Sequence, residues 1–235
     1  MNKYMDLKDL QNKIEIKFEN IKLLHIALTH SSYANEKKRI QYNERLEFLG
    51  DSVLQLVITE YLFMNYKDKS EGELSKKRAL IVCENSLFSI AKNLELGEYI
   101  KMSKGEELTG GRERISILAD AVEALIASIY LDKGIDVVRE FILKNFYNIV
   151  EKAMKDEIIL DYKTKLQEII QKDGDIQINY ILIKHEGPPH RRKFYTEVKI
   201  KDNVLGYGIG YSKKESEQNA AKKAIENMEV NKEYE

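Results

Sequence analysis

The chain has 235 residues, of which 43% are hydrophobic and 33% charged, so it is long enough for one large domain or two small ones and too apolar to be disordered. Its formal net charge of −1 argues mildly against a nucleic-acid partner, which usually calls for a basic chain. The one cysteine, Cys83, excludes an intramolecular disulfide and a Cys/His zinc cluster, and a reducing, cytoplasmic setting is expected.

The start, MNKYMDLKDLQNKIEIKFEN, is charged throughout and does not read as a signal peptide. Residues 1–153 contain no proline. Apolar residues recur at helical spacing in IKLLHIALTH and over 43–64, 73–95, 115–132 and 135–153. Gly72, Gly97, Gly105, Gly110, Gly111 and Gly134 fall between these runs, where turns are expected. The pattern predicts an all-helical bundle. Its most apolar runs, SVLQLVITEYLFM and AVEALIASIYL, are broken by polar residues and too short to span a bilayer, so no membrane association is expected. His25 and His30 read as packing or helix-end residues, with a general base as the alternative.

Residues 43–54, NERLEFLGDSVL, place Glu44, Glu47 and Asp51 at i, i+3 and i+7, on one helix face. Leu46, Leu49, Val53 and Leu56 form a neighbouring stripe. Like charges at this spacing oppose one another by tenths of a kcal/mol per pair. Taken alone, the stretch reads as a solvated acidic face; a cation-binding wall is the alternative. A second stretch, ILADAVEALIASIYL, tips the balance. It carries Asp120 and Glu123, at i and i+3, in an otherwise apolar run that predicts a buried helix. Buried carboxylates are costly unless paired or bound to a metal. Oxygen donors from two helices with no sulfur or imidazole favour a hard cation such as Mg²⁺ or Mn²⁺.

The pattern changes near residue 154. Residues 154–160 read as a linker, and YKTKLQEIIQ as a short helix capped by Asp161. IQINYILIK, KFYTEVKIK and NVLGYGIG alternate as three strands, and SKKESEQNAAKKAIENM closes with a helix. This is a small α+β unit with helices on one face of an antiparallel sheet. From Lys184 to Lys223 there are ten bases against five acids, a local excess of five positive charges. Gly206, Gly208 and Gly210 lack the spacing of a phosphate-binding nucleotide loop. Ser212 and Glu215 instead have capping-box spacing, which sets Lys213 and Lys214 at a helix N-terminus, a place that suits phosphate.

The blocks ALTHSSYANE (27–36), NERLEFLGDSVL, EGELSKKRALIV (71–82) and GGRERISILADAVEALIASIYLD (110–132) resemble, in order and spacing, those of the ribonuclease III family. GPPH and GYSKKESEQNAAKKAI resemble a double-stranded RNA-binding domain. The resemblance implies a multidomain chain: an all-α endonuclease domain over 1–153, then an α-β-β-β-α RNA-binding domain over 161–229. It implies a homodimer, joined through the catalytic domain, that cleaves double-stranded RNA with Mg²⁺. The products would carry 5′-phosphates and short 3′ overhangs, and ribosomal RNA precursors are the implied targets. By position, Glu47, Asp51, Asp120 and Glu123 are the metal carboxylates, with Asp51 and Glu123 the pair usually called catalytic. Glu44 and Glu71 align with acids near the cleavage site and subunit interface. Thr164, Gln167, Glu168 and Gln171 belong to one minor-groove face and His190 to the loop that enters another. Lys213 and Lys214 are the phosphate contacts. Ser216, where the family usually has alanine, and Glu217, which adds negative charge, depart from the pattern. The alternative function is a duplex-binding scaffold or ribosome-associated protein that has lost cleavage.

Overall fold

The structure, a computed structural model, describes residues 6–37, 40–158, 161–171, 176–188 and 192–232. It divides into two compact units, Met1–Ile158 and Ile159–Glu235. Residues 159 and 160 of the expected linker lie outside the described residues, as do Pro189 and His190.

The first unit is helical: α1 (Leu7–Ile14), α2 (Ile21–Ala27), α3 (Ser31–Lys37), α4 (Glu44–Asn65), α5 (Glu71–Ile81), α6 (Glu84–Asn93), α7 (Lys104–Leu108) and α8 (Ile115–Met154). Its centre is the packing of α4 on α8. Leu54, Val57 and Ile58 of α4 meet a core that holds Ala121, Val122, Leu125, Ile126 and Ile129 of α8. The apolar run of α8 is buried as its composition predicts. Nearly every residue from Ile117 to Ile129 is inside, with Asp120 and Glu123 the half-buried exceptions.

Two glycines behave otherwise than the sequence predicts. Gly72 lies in the first turn of α5 and Gly105 inside α7, not between helices. Gly134, non-helical with φ of 82°, divides α8 into two helical stretches where the sequence expects a turn. The run over 73–95 is broken at Val82 and Cys83, and Glu84 opens α6 there. Leu56 is also displaced from its expected place, being 60% exposed. It follows Leu49 by two turns and shares that residue's flank of α4, while Val57 and Ile58 take the core.

The second unit holds α9 (Tyr162–Gln171), β1 (Ile178–Glu186), β2 (Lys193–Ile200), β3 (Asn203–Gly210) and α10 (Lys213–Lys232). The strands form one antiparallel sheet in the order β1-β2-β3. Leu166 and Ile170 of α9, Val198 of β2, and Ala220, Ala221, Ala224 and Ile225 of α10 make its core. Gly206, Gly208 and Gly210 form a row without side chains on the face of β3 that meets α10. A Cβ on Gly208 would lie 2.1 Å from the Ala220 nitrogen, and one on Gly206 2.6 Å from the Ala220 oxygen. These glycines therefore serve close helix-on-strand packing. Asn219 and Asn227 of α10 donate to the carbonyls of Ile209 and Leu205 at 2.8 and 2.9 Å, occupying part of the free edge of β3.

Candidate active site

Glu47 on α4 and Asp120 and Glu123 on α8 bring their carboxylates together. One oxygen from each lies within 4.8 Å of the others. The convergence depends on how closely the helices approach. Gly50 sits one turn beyond Glu47, and a Cβ there would be 1.8 Å from the backbone oxygen of Glu123. Any side chain at 50 would drive α4 off α8 and the carboxylates apart.

Packing these acids together in a half-buried wall raises their proton affinity. Glu123 is pushed up to about 8, by burial first and then by the charges of Asp51, Glu47 and Asp120. Glu47 and Asp120 are also raised, again chiefly by burial. Among the described residues no Lys or Arg pairs with the three, and no hydrogen bond reaches their side chains. A cluster of three oxygen donors without a Lys or Arg partner fits a hard divalent ion. Asp51 lies outside the trio but close enough to raise Glu47 and Glu123. Both its oxygens accept from Gln55 Nε2, at 2.8 and 2.9 Å.

The second unit carries a different surface. Thr164, Gln167 and Gln171 of α9 line one polar cavity with Lys214 of α10. Glu168 and Lys213 are exposed. Ser212 accepts from the Glu215 amide at 3.1 Å, as a capping box requires. The return bond differs from expectation: Glu215 accepts from the Tyr211 amide at 2.6 Å, one residue earlier. Lys213 and Lys214 form no ion pair among the described residues.

A family profile described as Ribonuclease-III-like matches residues 20–150, and one described as Double-stranded RNA binding motif matches 162–228. The chain is 64% identical over 226 residues to Ribonuclease 3 of Clostridium perfringens, covering 96% of this chain and 95% of that one. It belongs to the ribonuclease III family. Ribonuclease 3 of Caldanaerobacter subterraneus is 54% identical over 222 residues, 94% of this chain and 97% of that one. The crystal structure of the nuclease domain of ribonuclease III from Campylobacter jejuni superposes with a TM-score of 0.57 at 43% identity. It covers 61% of this chain and 95% of that one. A second structure of that domain, with a TM-score of 0.58 and 43% identity over 61% of this chain and 97% of that one, concerns a region involved in dimer formation. The ribonuclease III family is metal-dependent, and the acidic trio could hold a metal ion.

Within this ribonuclease III fold the remaining expected acids separate. Glu44 is exposed and near enough to raise Glu47 and Asp120. Glu71 stands apart: it opens α5, accepts from the Ser75 hydroxyl at 2.8 Å, and lines a groove with Leu62, Phe63 and Leu74. Of two further neighbours of the trio, Glu84 was not singled out in the sequence and His30 was read there as a packing or helix-end residue. Glu84, at the start of α6, raises Asp120, and His30, in the turn between α2 and α3, favours its ionised form. His30 Nδ1 lies 2.8 Å from Ser32 Oγ. Both come from helix ends remote in sequence, where no periodicity points to the site.

The two departures in the RNA-binding motif have packing explanations. Ser216 is fully buried, with its hydroxyl 2.7 Å from that of Thr196. Glu217 pairs with Lys163 at 2.6 Å, so its charge is matched within the fold. Among the described residues no helix is long and apolar enough to cross a membrane.

Proposed function

We propose that this protein is an endoribonuclease that hydrolyses double-stranded RNA with Mg²⁺. It leaves 5′-phosphate and 3′-hydroxyl ends with short 3′ overhangs and acts in the cytoplasm on ribosomal RNA precursors and other structured RNAs. The observation that carries the reading is the convergence of Glu47, Asp120 and Glu123 on two interlocked helices, where oxygen ligands stand without a protein cation.

Glu47, Asp51, Asp120 and Glu123 are the residues that would hold Mg²⁺, with Mn²⁺ as a substitute. The bound ion supplies charge stabilisation at the phosphate and acidifies the attacking water. The chain contributes the rest. Glu123 faces both Glu47 across the helix pair and Asp120 on its own helix, so it is the ligand shared between them. Asp51, pinned by Gln55, keeps a fixed orientation toward Glu123. Glu44 lies at the outer edge of the wall, where substrate enters, and Glu71 at the edge of the subunit contact.

The second unit holds the duplex. Thr164, Gln167, Glu168 and Gln171 meet one minor groove, His190 another, and Lys213 and Lys214 the phosphates between, over roughly 16 base pairs. The catalytic unit dimerises through the outer face of α4, where Phe48, Leu56 and Phe63 are 80%, 60% and 69% exposed. Phe48→Asp should shift the protein from dimer to monomer in sedimentation; an unchanged dimer removes that face from the interface.

The deciding test incubates wild type and Glu123→Gln with a long RNA duplex, with and without Mg²⁺. Wild type cuts only with metal, and the variant binds without cutting. Wild type that binds duplex but leaves it whole in Mg²⁺ and in Mn²⁺ would sink the enzyme reading and leave the scaffold.

A further inference from the structure

The helix α9 has ten residues, too few for a helix to persist alone in water. Its first-turn amides need partners from elsewhere. Asp161 supplies one, accepting from the Thr164 amide at 3.1 Å and from its hydroxyl at 2.8 Å. The next come from another helix. Gln218, on α10, accepts through Oε1 from the amides of Tyr162 and Lys163 at 2.7 and 3.3 Å. Its Nε2 donates to Asp161 Oδ1 at 2.8 Å. One side chain thus caps the start of α9 and holds the residue that caps it. The Glu217–Lys163 pair, next in sequence on α10, grips the same turn. Asp161 is held at about 2, with the bond from Gln218 the largest cause.

Gln218 also follows Lys214 by one turn, so the two share a face of α10. Both line the same polar cavity as Thr164, Gln167 and Gln171. We propose that Gln218 is a positioning residue for the RNA duplex, fixing the spacing and rotation between the α9 contacts and the α10 lysines by capping α9 from outside. The inference rests on the reading of this unit as the duplex-binding one. An A-form duplex is rigid and recognised by shape. Contacts on two elements fit it only if their separation is set beforehand, and a single slip weakens both.

The test measures affinity of the full chain for an RNA duplex without divalent metal, across a range of salt. Gln218→Leu keeps the bulk and removes the three hydrogen bonds. Affinity should fall about 10-fold, the equivalent of one or two ordinary hydrogen bonds. The slope of log affinity against log salt should stay that of wild type, because every cation remains, whereas Lys214→Ala should flatten it. Gln218→Ala should lower affinity at least as much as Gln218→Leu, with the helical circular dichroism of the chain kept in both. Wild-type affinity in Gln218→Leu or in Gln218→Ala, or a salt slope in either that departs from wild type, overturns the inference. Failure of wild type to bind duplex at all would instead remove the RNA-binding reading on which it stands.

Discussion

Both units bring a pair of elements together by leaving side chains out, and the two contacts serve opposite charges. In the first, Gly50 lets α4 lie against the backbone of Glu123 and forces like charges into one wall. In the second, Gly206, Gly208 and Gly210 let α10 lie against β3 while its lysines stay in solvent. The acidic contact opposes itself: burial and neighbouring carboxylates push Glu123 up to about 8. The basic contact carries no such strain, since Glu217 is matched by Lys163 and the lysines at the helix start are exposed. One unit is built to need a cation, and the other to meet a polyanion in open water.

The largest effect that would sharpen this contrast is at Glu123. Glu123→Gln should lower cleavage by more than about 100-fold, the loss that even outer-shell partners of a metal can cause, and leave duplex affinity near wild type. It should also raise the melting temperature of the metal-free protein, because it removes a charge that the fold opposes. A lower melting temperature would mean the wall is not strained. Next come the glycines. Gly50→Ala and Gly208→Ala should each cost about 1–3 kcal/mol by denaturant unfolding, as overpacking does. The first should abolish cleavage and spare duplex binding, and the second should do the reverse; the same defect from both would break the division of labour.

A double change, Lys213→Glu with Lys214→Glu, should weaken duplex binding. The slope of log affinity against log salt should shrink by roughly 0.9 for each phosphate that the protein no longer neutralises. An unchanged slope would take the phosphate role from those lysines. The smallest expected effect is on pH. The folded value of Glu123 lies above its ordinary 4.5, so the folded metal-free protein binds the extra proton between pH 4.5 and about 8. Its contribution is therefore present below that window and is lost as pH rises through it. Thermal melts without metal should show stability falling across the window, and Mg²⁺ should remove most of the fall. A flat profile without metal would contradict the raised Glu123.

Much of this was legible in the sequence because period and charge report on faces. The buried run of α8, the helix over Tyr162–Gln171 and the three strands follow from spacing alone. Carboxylates in a buried helix tied the Glu44, Glu47 and Asp51 face to Asp120 and Glu123, while the choice of Glu47 within that face rested on the family resemblance. What was not legible is contact between elements. Nothing local in NERLEFLGDSVL marks Gly50 as the point where another helix touches. Glu84 and His30 reach Asp120 only through the fold. Leu56 has core spacing yet faces out, because a helical stripe has two flanks and sequence does not say which one has a partner. Gln218 reads as an ordinary polar residue of a basic helix until α9 is set beside it.

The division of the acidic wall between α4 and α8 has a consequence for synthesis. A nascent chain that has reached residue 114 already carries Glu47 and Asp51 but neither Asp120 nor Glu123. It holds half of the proposed metal site, and α4 has no α8 to lie on. Competence to cut arrives only when the second helix emerges and closes on the first.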